Sequence, residues 1–299
     1  MAIIKAQAEL NTATHAAAHR RSWGPPPVLA ALTDFSPRAA EAVKLCAALA
    51  AQLQTSWHLA HFVPPGQRSS LREAHASVLA QRQRLQQLAA EFAAEGNAPV
   101  VHCEPHAIAA RLNSWVRENG VSVIVLASSN GSAFEAPVLG GVAREVLRLA
   151  QVPLLLLGPR GQAPRLPFRR VLCAADVRPG AKAAVRAALS LMVARDGRVL
   201  LIHVAEPRPD DCAACGVGVS DAAARMWEVL PPELRFFHDA EVRVRFGQAA
   251  DAIVAAAHGD ASDLIGVCTE ARRTGADASP ILPAVLRLST CPVLVAADA

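Results

Sequence analysis

The chain of 299 residues carries 30 basic and 26 acidic side chains, a net charge of +4, and is 52% hydrophobic but only 4% aromatic, with no tyrosine. So small a charge excess, with Arg dispersed through both halves, excludes the clustered basic face of a dedicated nucleic-acid binder. No run reaches the roughly eighteen apolar residues of a membrane span. The length favours about two domains, with cores of Ala, Leu and Val packed between helices and sheet. Seven cysteines form no regular framework, which suits a reducing compartment. Lys5, Glu9, Asn11 and His15 interrupt any secretory apolar region, so the expectation is a cytoplasmic protein without membrane contact.

Residues 1–27 read as an N-terminal tail, because Pro25, Pro26 and Pro27 force an extended linker after any short helix. A mobile tail and a partner-binding or domain-clasping arm are both open. The first strand is expected over Val28–Leu32 and the first helix from Arg38 to about Leu53, with Ser36 as N-cap and Pro37 at the first helical position. A strand over Trp57–Val63 and a long helix over Ser69–Glu95 follow. That helix has Leu71, Val78, Leu79, Leu85, Leu88 and Phe92 as its apolar side. Ala98–Cys103 reads as a strand, His106–Glu118 as a helix, and Val121–Ala127 as a strand covered on both faces. A small-residue loop then leads to a helix opening at Gly140 and Gly141, with Val142, Val146, Leu147 and Leu149 apolar, and to a further strand after Pro153.

Arg160–Pro167 is a Pro/Gly linker, and the same order returns behind it. Strands are expected at Val171–Ala175, Val199–Val204, Glu241–Phe246, Leu264–Cys268 and Pro292–Ala297. Helices are expected at Ala181–Ala194, near Ser220–Val229, at Ala249–His258 and at Pro280–Leu288. Asp34 and Asp176 lie 142 positions apart and Pro153 and Pro292 lie 139 apart, so a unit of about 140 residues is duplicated. Strands alternating with helices predict parallel sheets with right-handed crossovers. The expected fold is α/β: two tandem, doubly wound, five-stranded parallel-sheet domains at 28–160 and 168–299. Cys46, Cys103, Cys173, Cys268 and Cys291 fall in these elements as small hydrophobes.

Several stretches carry a family resemblance. A first strand ending near Asp34, the strand exits His61-Phe62-Val63-Pro64 and His203-Val204-Ala205-Glu206-Pro207, and the closing stretches Gly140-Gly141-Val142-Ala143, Val152-Pro153-Leu154-Leu155 and Cys291-Pro292-Val293-Leu294-Val295 resemble the universal stress protein family. The resemblance covers about residues 27 to 299 as two copies. It implies an adenine nucleotide alpha hydrolase-like fold in each copy and an intramolecular pseudo-dimer, with pairing of two chains through outer strands left open. It also implies a stress-response or signalling role with protein partners.

Some members of that family bind ATP through Gly, two residues, Gly, nine residues, then Gly-Ser/Thr. Glycines let the backbone approach phosphate, and a helix N-terminus meets its charge. Set back from Gly140, the pattern puts Asn130 and Ala127 at the earlier glycines and Gly141 at the hydroxyl, with Gly131 beside the middle position and Ser128 and Ser129 as donors. The second half departs further: Cys268 and Ala271 replace glycines, and Ser279-Pro280 removes an N–H. Asp34 and Asp176 match the family's adenosine contact; each also reads as an acid capping the next turn. His61 and His203 read as packed residues. Thr33–Arg38 lacks the Ser-Gly-Gly-x-Asp-Ser loop of adenylating relatives, and no catalytic constellation stands out.

The candidate ligand residues are therefore Asp34, Ser128, Ser129, Asn130, Gly131, Gly140 and Gly141, with ATP in the first half as the cofactor to test. The favoured expectation is a non-enzymatic stress-response module with degenerate nucleotide loops. An ATP-binding switch in the first half is the first alternative. A zinc or redox sensor at Cys212 and Cys215 is the second, although a lone CxxC lacks the further ligands that zinc needs.

Overall fold

A computed structural model of the chain describes residues 25–63, 71–128, 139–161, 165–175, 181–192, 197–205, 222–228, 239–268 and 281–296. The first half runs β1 (Leu29–Leu32), α1 (Pro37–Leu53), β2 (Trp57–Phe62), α2 (Leu71–Ala93), β3 (Val100–Glu104), α3 (Ile108–Glu118), β4 (Val123–Ala127), α4 (Gly141–Leu149) and β5 (Leu154–Leu157). The second runs β6 (Arg170–Ala174), α5 (Ala181–Ser190), β7 (Arg198–Ala205), α6 (222–228), β8 (Asp239–Phe246), α7 (Ala249–Gly259), β9 (Leu264–Cys268), α8 (Ile281–Leu288) and β10 (Val293–Ala296).

The strands form one sheet in the order β3-β2-β1-β4-β5-β10-β9-β6-β7-β8. Each half contributes five mutually parallel strands, and the halves meet where β5 pairs antiparallel with β10, Leu155 opposite Leu294. The carboxyl edge of the first half's strands therefore lies on the same side as the amino edge of the second's. Strand side chains alternate between two cores. Leu29, Ala31, Leu155 and Leu294 face α1, α2, α5 and α6, whereas Ala30, Leu32, Leu154 and Val293 face α3, α4, α7 and α8. Both cores run unbroken through the two halves.

Helix starts follow local chemistry. Ser36 is extended at the N-cap of α1, its hydroxyl accepts the Ala39 N–H at 3.2 Å, and Pro37 opens the helix. The helix stops at Gln54 in the left-handed conformation. Three expectations need correction. Leu79 is 47% exposed rather than on the packed side of α2, whose buried stripe runs through Leu85 and Ala89, and Val142 is 41% exposed at the open start of α4. Cys291 lies in the turn before β10 rather than in the strand.

Candidate functional site

The carboxyl edge of β1 and β4 carries the first half's candidate site. Thr33, just past β1, donates its N–H to Ala60 O and receives the Phe35 N–H on its hydroxyl. The Asp34 carboxylate accepts the Ser36 N–H at 2.9 Å, an Asx turn that leads into the α1 cap. Between them Phe35 sits at φ 62°, costly for a residue with a side chain. Its ring is held at 4.7 Å from that of His61 and lies under the Arg84 guanidinium at 4.4 Å. The His61 Nδ1 donates to Thr33 O at 2.7 Å, and His203 makes the equivalent bond to Ala175 O at 3.4 Å. The two histidines thus brace the ends of corresponding strands.

Opposite Asp34, β4 runs out at Ser128. Its N–H donates to Leu157 O, and its side chain, 2% exposed, has a hydroxyl with no hydrogen-bond partner among the described residues. Gly140 then caps α4 in an extended conformation with no side-chain cap bond, so among the described residues the first N–H groups of the helix have no side-chain acceptor there. A Cβ on Gly141 would meet nothing within 4 Å, which leaves the backbone approachable. Asp34, Ser36, Ser128, Gly140 and Gly141 line one cavity of about 230 Å³. Four of the seven candidate residues are thus brought together. Ser129, Asn130 and Gly131 lie outside the described residues, as do Asp176, Ala271, Ser279, Pro280, Cys212 and Cys215.

A model of the universal stress protein family matches residues 28–158 and again residues 167–297. The chain belongs to the universal stress protein family. It is a tandem form, and family membership gives it a stress-response role. A universal stress protein from Archaeoglobus fulgidus DSM 4304 matches at 18% identity over 92% of this chain and 97% of its own, with a TM-score of 0.65. A putative universal stress protein from Pseudomonas aeruginosa UCBPP-PA14 matches at 16% identity over 91% and 93%, with a TM-score of 0.58. Both are likenesses of fold. A further universal stress protein structure, matched over 43% of this chain and 96% of its own at 19% identity and a TM-score of 0.29, is in complex with cAMP. No curated protein sequence matches this chain. No helix among the described residues of this universal stress protein is long and apolar enough to cross a membrane. Nor do the described residues hold a group of three or more His, Cys, Asp or Glu side chains placed to bind a metal.

A polar cluster on the outer side of the first half carries no motif in the sequence. His58 on β2 and His102 on β3 approach to 2.8 Å, ring nitrogen to ring nitrogen, beneath the edge of Trp115 on α3. Burial, and then His102, hold His58 down to about 4; burial lowers His102 against the opposing pull of Glu104. Glu104 is itself paired with Arg111 at 3.1 Å. The available signal was parity, because His58, Ala60 and Phe62 share a strand face, as do His102 and Glu104.

Proposed function

We propose that this universal stress protein is a non-enzymatic stress-response module whose first half binds an adenine nucleotide, and that occupancy there biases the surface offered to a protein partner. Ser128 carries the reading. A buried hydroxyl without a partner costs about 1–3 kcal/mol, and this one, which has none among the described residues, lines the same cavity as the start of α4. A phosphate oxygen would satisfy that hydroxyl and meet the partial positive charge of the helix end. Gly141 adds no Cβ to block the approach, and Asp34 supplies an acceptor for a ribose hydroxyl. Cys268 and Pro280 deprive the second half of a glycine and an N–H donor. No nucleotide is therefore expected in the second half, and the first cavity is expected to bind rather than to catalyse.

Titration with ATP while following thermal unfolding tests it. The midpoint rises with ATP concentration if the folded state binds, and Ser128→Ala weakens the apparent affinity about tenfold, the worth of one such hydrogen bond. A midpoint unmoved by millimolar ATP removes the nucleotide.

A further inference from the structure

The two copies of the fold differ where α3 and α7 pack on the helix that precedes the last strand. Equivalent backbone bonds fix the correspondence. Val121 N–H donates to Val116 O and Ser262 N–H to Ala257 O; Ala150 N–H donates to Val146 O and Ser289 N–H to Val285 O. In the first copy, Asn113 on α3 donates its side-chain N–H to Leu149 O at the end of α4 at 2.9 Å, tying the helices together. Beside this tie Val121 and Ala150 are apolar and buried, at 4% and 1% exposure. In the second copy these three positions are Val254, Ser262 and Ser289. Valine offers no donor for the tie, and a cavity of about 480 Å³ lies between α7, α8 and the start of β9. That is within the usual range for small-molecule sites.

The chemistry of this cavity is mixed in a specific way. Val254, Ile265 and Leu288 provide an apolar wall, and the buried Ser262 hydroxyl has no partner among the described residues. The mouth carries opposite charges, with the His258 imidazole beside them. Asp251 projects from the first turn of α7, and Arg160 comes from the other copy. It can do so because the antiparallel β5–β10 seam lays the segment leaving β5 along the amino edge of the second half. Both charged residues are exposed, and no ion pair among the described residues uses either.

An apolar pocket with an orphan hydroxyl and one charge of each sign at its mouth complements a small zwitterion with an apolar body. We propose that the cavity binds an apolar α-amino acid, its carboxylate toward Arg160, its ammonium toward Asp251 and its side chain against Val254, Ile265 and Leu288. The site is separate from the nucleotide cavity and does not depend on it. Because Arg160 and Asp251 belong to different halves, the ligand would bridge the tandem copies.

Calorimetric titration of the full chain with L-leucine and L-phenylalanine tests this, with 3-phenylpropionate lacking the ammonium and phenethylamine lacking the carboxylate. At least one amino acid saturates the protein, and for phenylalanine each analogue binds about tenfold or more weakly, as for a lost charge-assisted hydrogen bond. Arg160→Gln abolishes the preference over phenethylamine, and Asp251→Asn abolishes the preference over 3-phenylpropionate; both changes are at exposed positions and leave the fold intact. If leucine is the one that saturates, 4-methylpentanoate and isopentylamine take the place of the two analogues. Failure of both amino acids to saturate at about 10 mM, a concentration that would reveal even weak binding, overturns the proposal. So does persistence of either preference in its matching variant.

Discussion

His58 and His102 can share their 2.8 Å contact only while at least one ring is neutral, since two imidazoliums would offer donors to each other. Burial of His58 opposes its charging, so the folded state binds a proton less readily than the unfolded chain, whose histidine titrates near 6.5. The sign follows: below that pH the unfolded state takes up the proton first, and the stabilisation is lost as pH falls from about 6.5 toward about 4. Above the upper value it is fully present. Urea denaturation across this window should show a loss of about 1–2 kcal/mol, less than the full shift implies because His102, the other half of the pair, is only partly buried. The double variant His58→Phe/His102→Phe should flatten that slope while leaving the acid limb due to carboxylates. An unchanged slope would assign the pH dependence elsewhere. Ser128 presents the opposite case: it was legible as a donor after a strand, yet that its hydroxyl finds no partner among the described residues is a property of the packed cavity alone.

At the level of elements, the strands buried on both faces were the most legible. Leu264–Cys268 begins and ends where its apolar run does, and Leu154–Leu157 is 0–3% exposed along its length. Helix faces were less so, because composition does not fix rotation: Leu79 is apolar but lies six residues before Leu85, well around α2 from the buried stripe. The cavity between α7 and α8 was hidden for a similar reason, since small residues there read equally well as close packing. A contact with no sequence signature decides how β5 leaves the sheet. Gly158 lies against α8 so closely that an added Cβ would overlap Leu286 O, and its own carbonyl accepts from the Arg38 guanidinium. Backbone cannot give way as a flexible side chain can, so Gly158→Ala should cost about 1–3 kcal/mol. The same change at Gly141, where the added Cβ meets nothing, should leave stability within about 0.5 kcal/mol. Thermal unfolding of the two variants checks the contrast, and equal midpoints would mean that α8 shifts freely.

In the molecule as a whole, the repeat offsets revealed two copies of one unit but not how they meet. The apolar runs of β5 and β10 say that both strands are buried without saying what lies beside them. The antiparallel seam settles it: Leu154, Leu155 and Leu156 face Val295, Leu294 and Val293. An antiparallel pair of like strands is self-complementary about a two-fold axis, so a second β5 could occupy the place of β10. A fragment of residues 25–161 would bare the edge of β5 together with side chains that are 0–3% exposed in the full chain. Unpaired edges of this kind recruit a strand. The fragment should therefore form a dimer by light scattering, with Leu156→Lys returning it to a monomer by placing a charge in the seam. The full chain carrying Leu156→Lys should lose stability instead of changing its oligomeric state, because its partner strand is tethered and cannot be exchanged for a second copy. A fragment that stays monomeric at about 100 μM, well above the Kd expected of a well-packed apolar seam, would show that the seam depends on side chains particular to β10 rather than on the symmetry of the pairing.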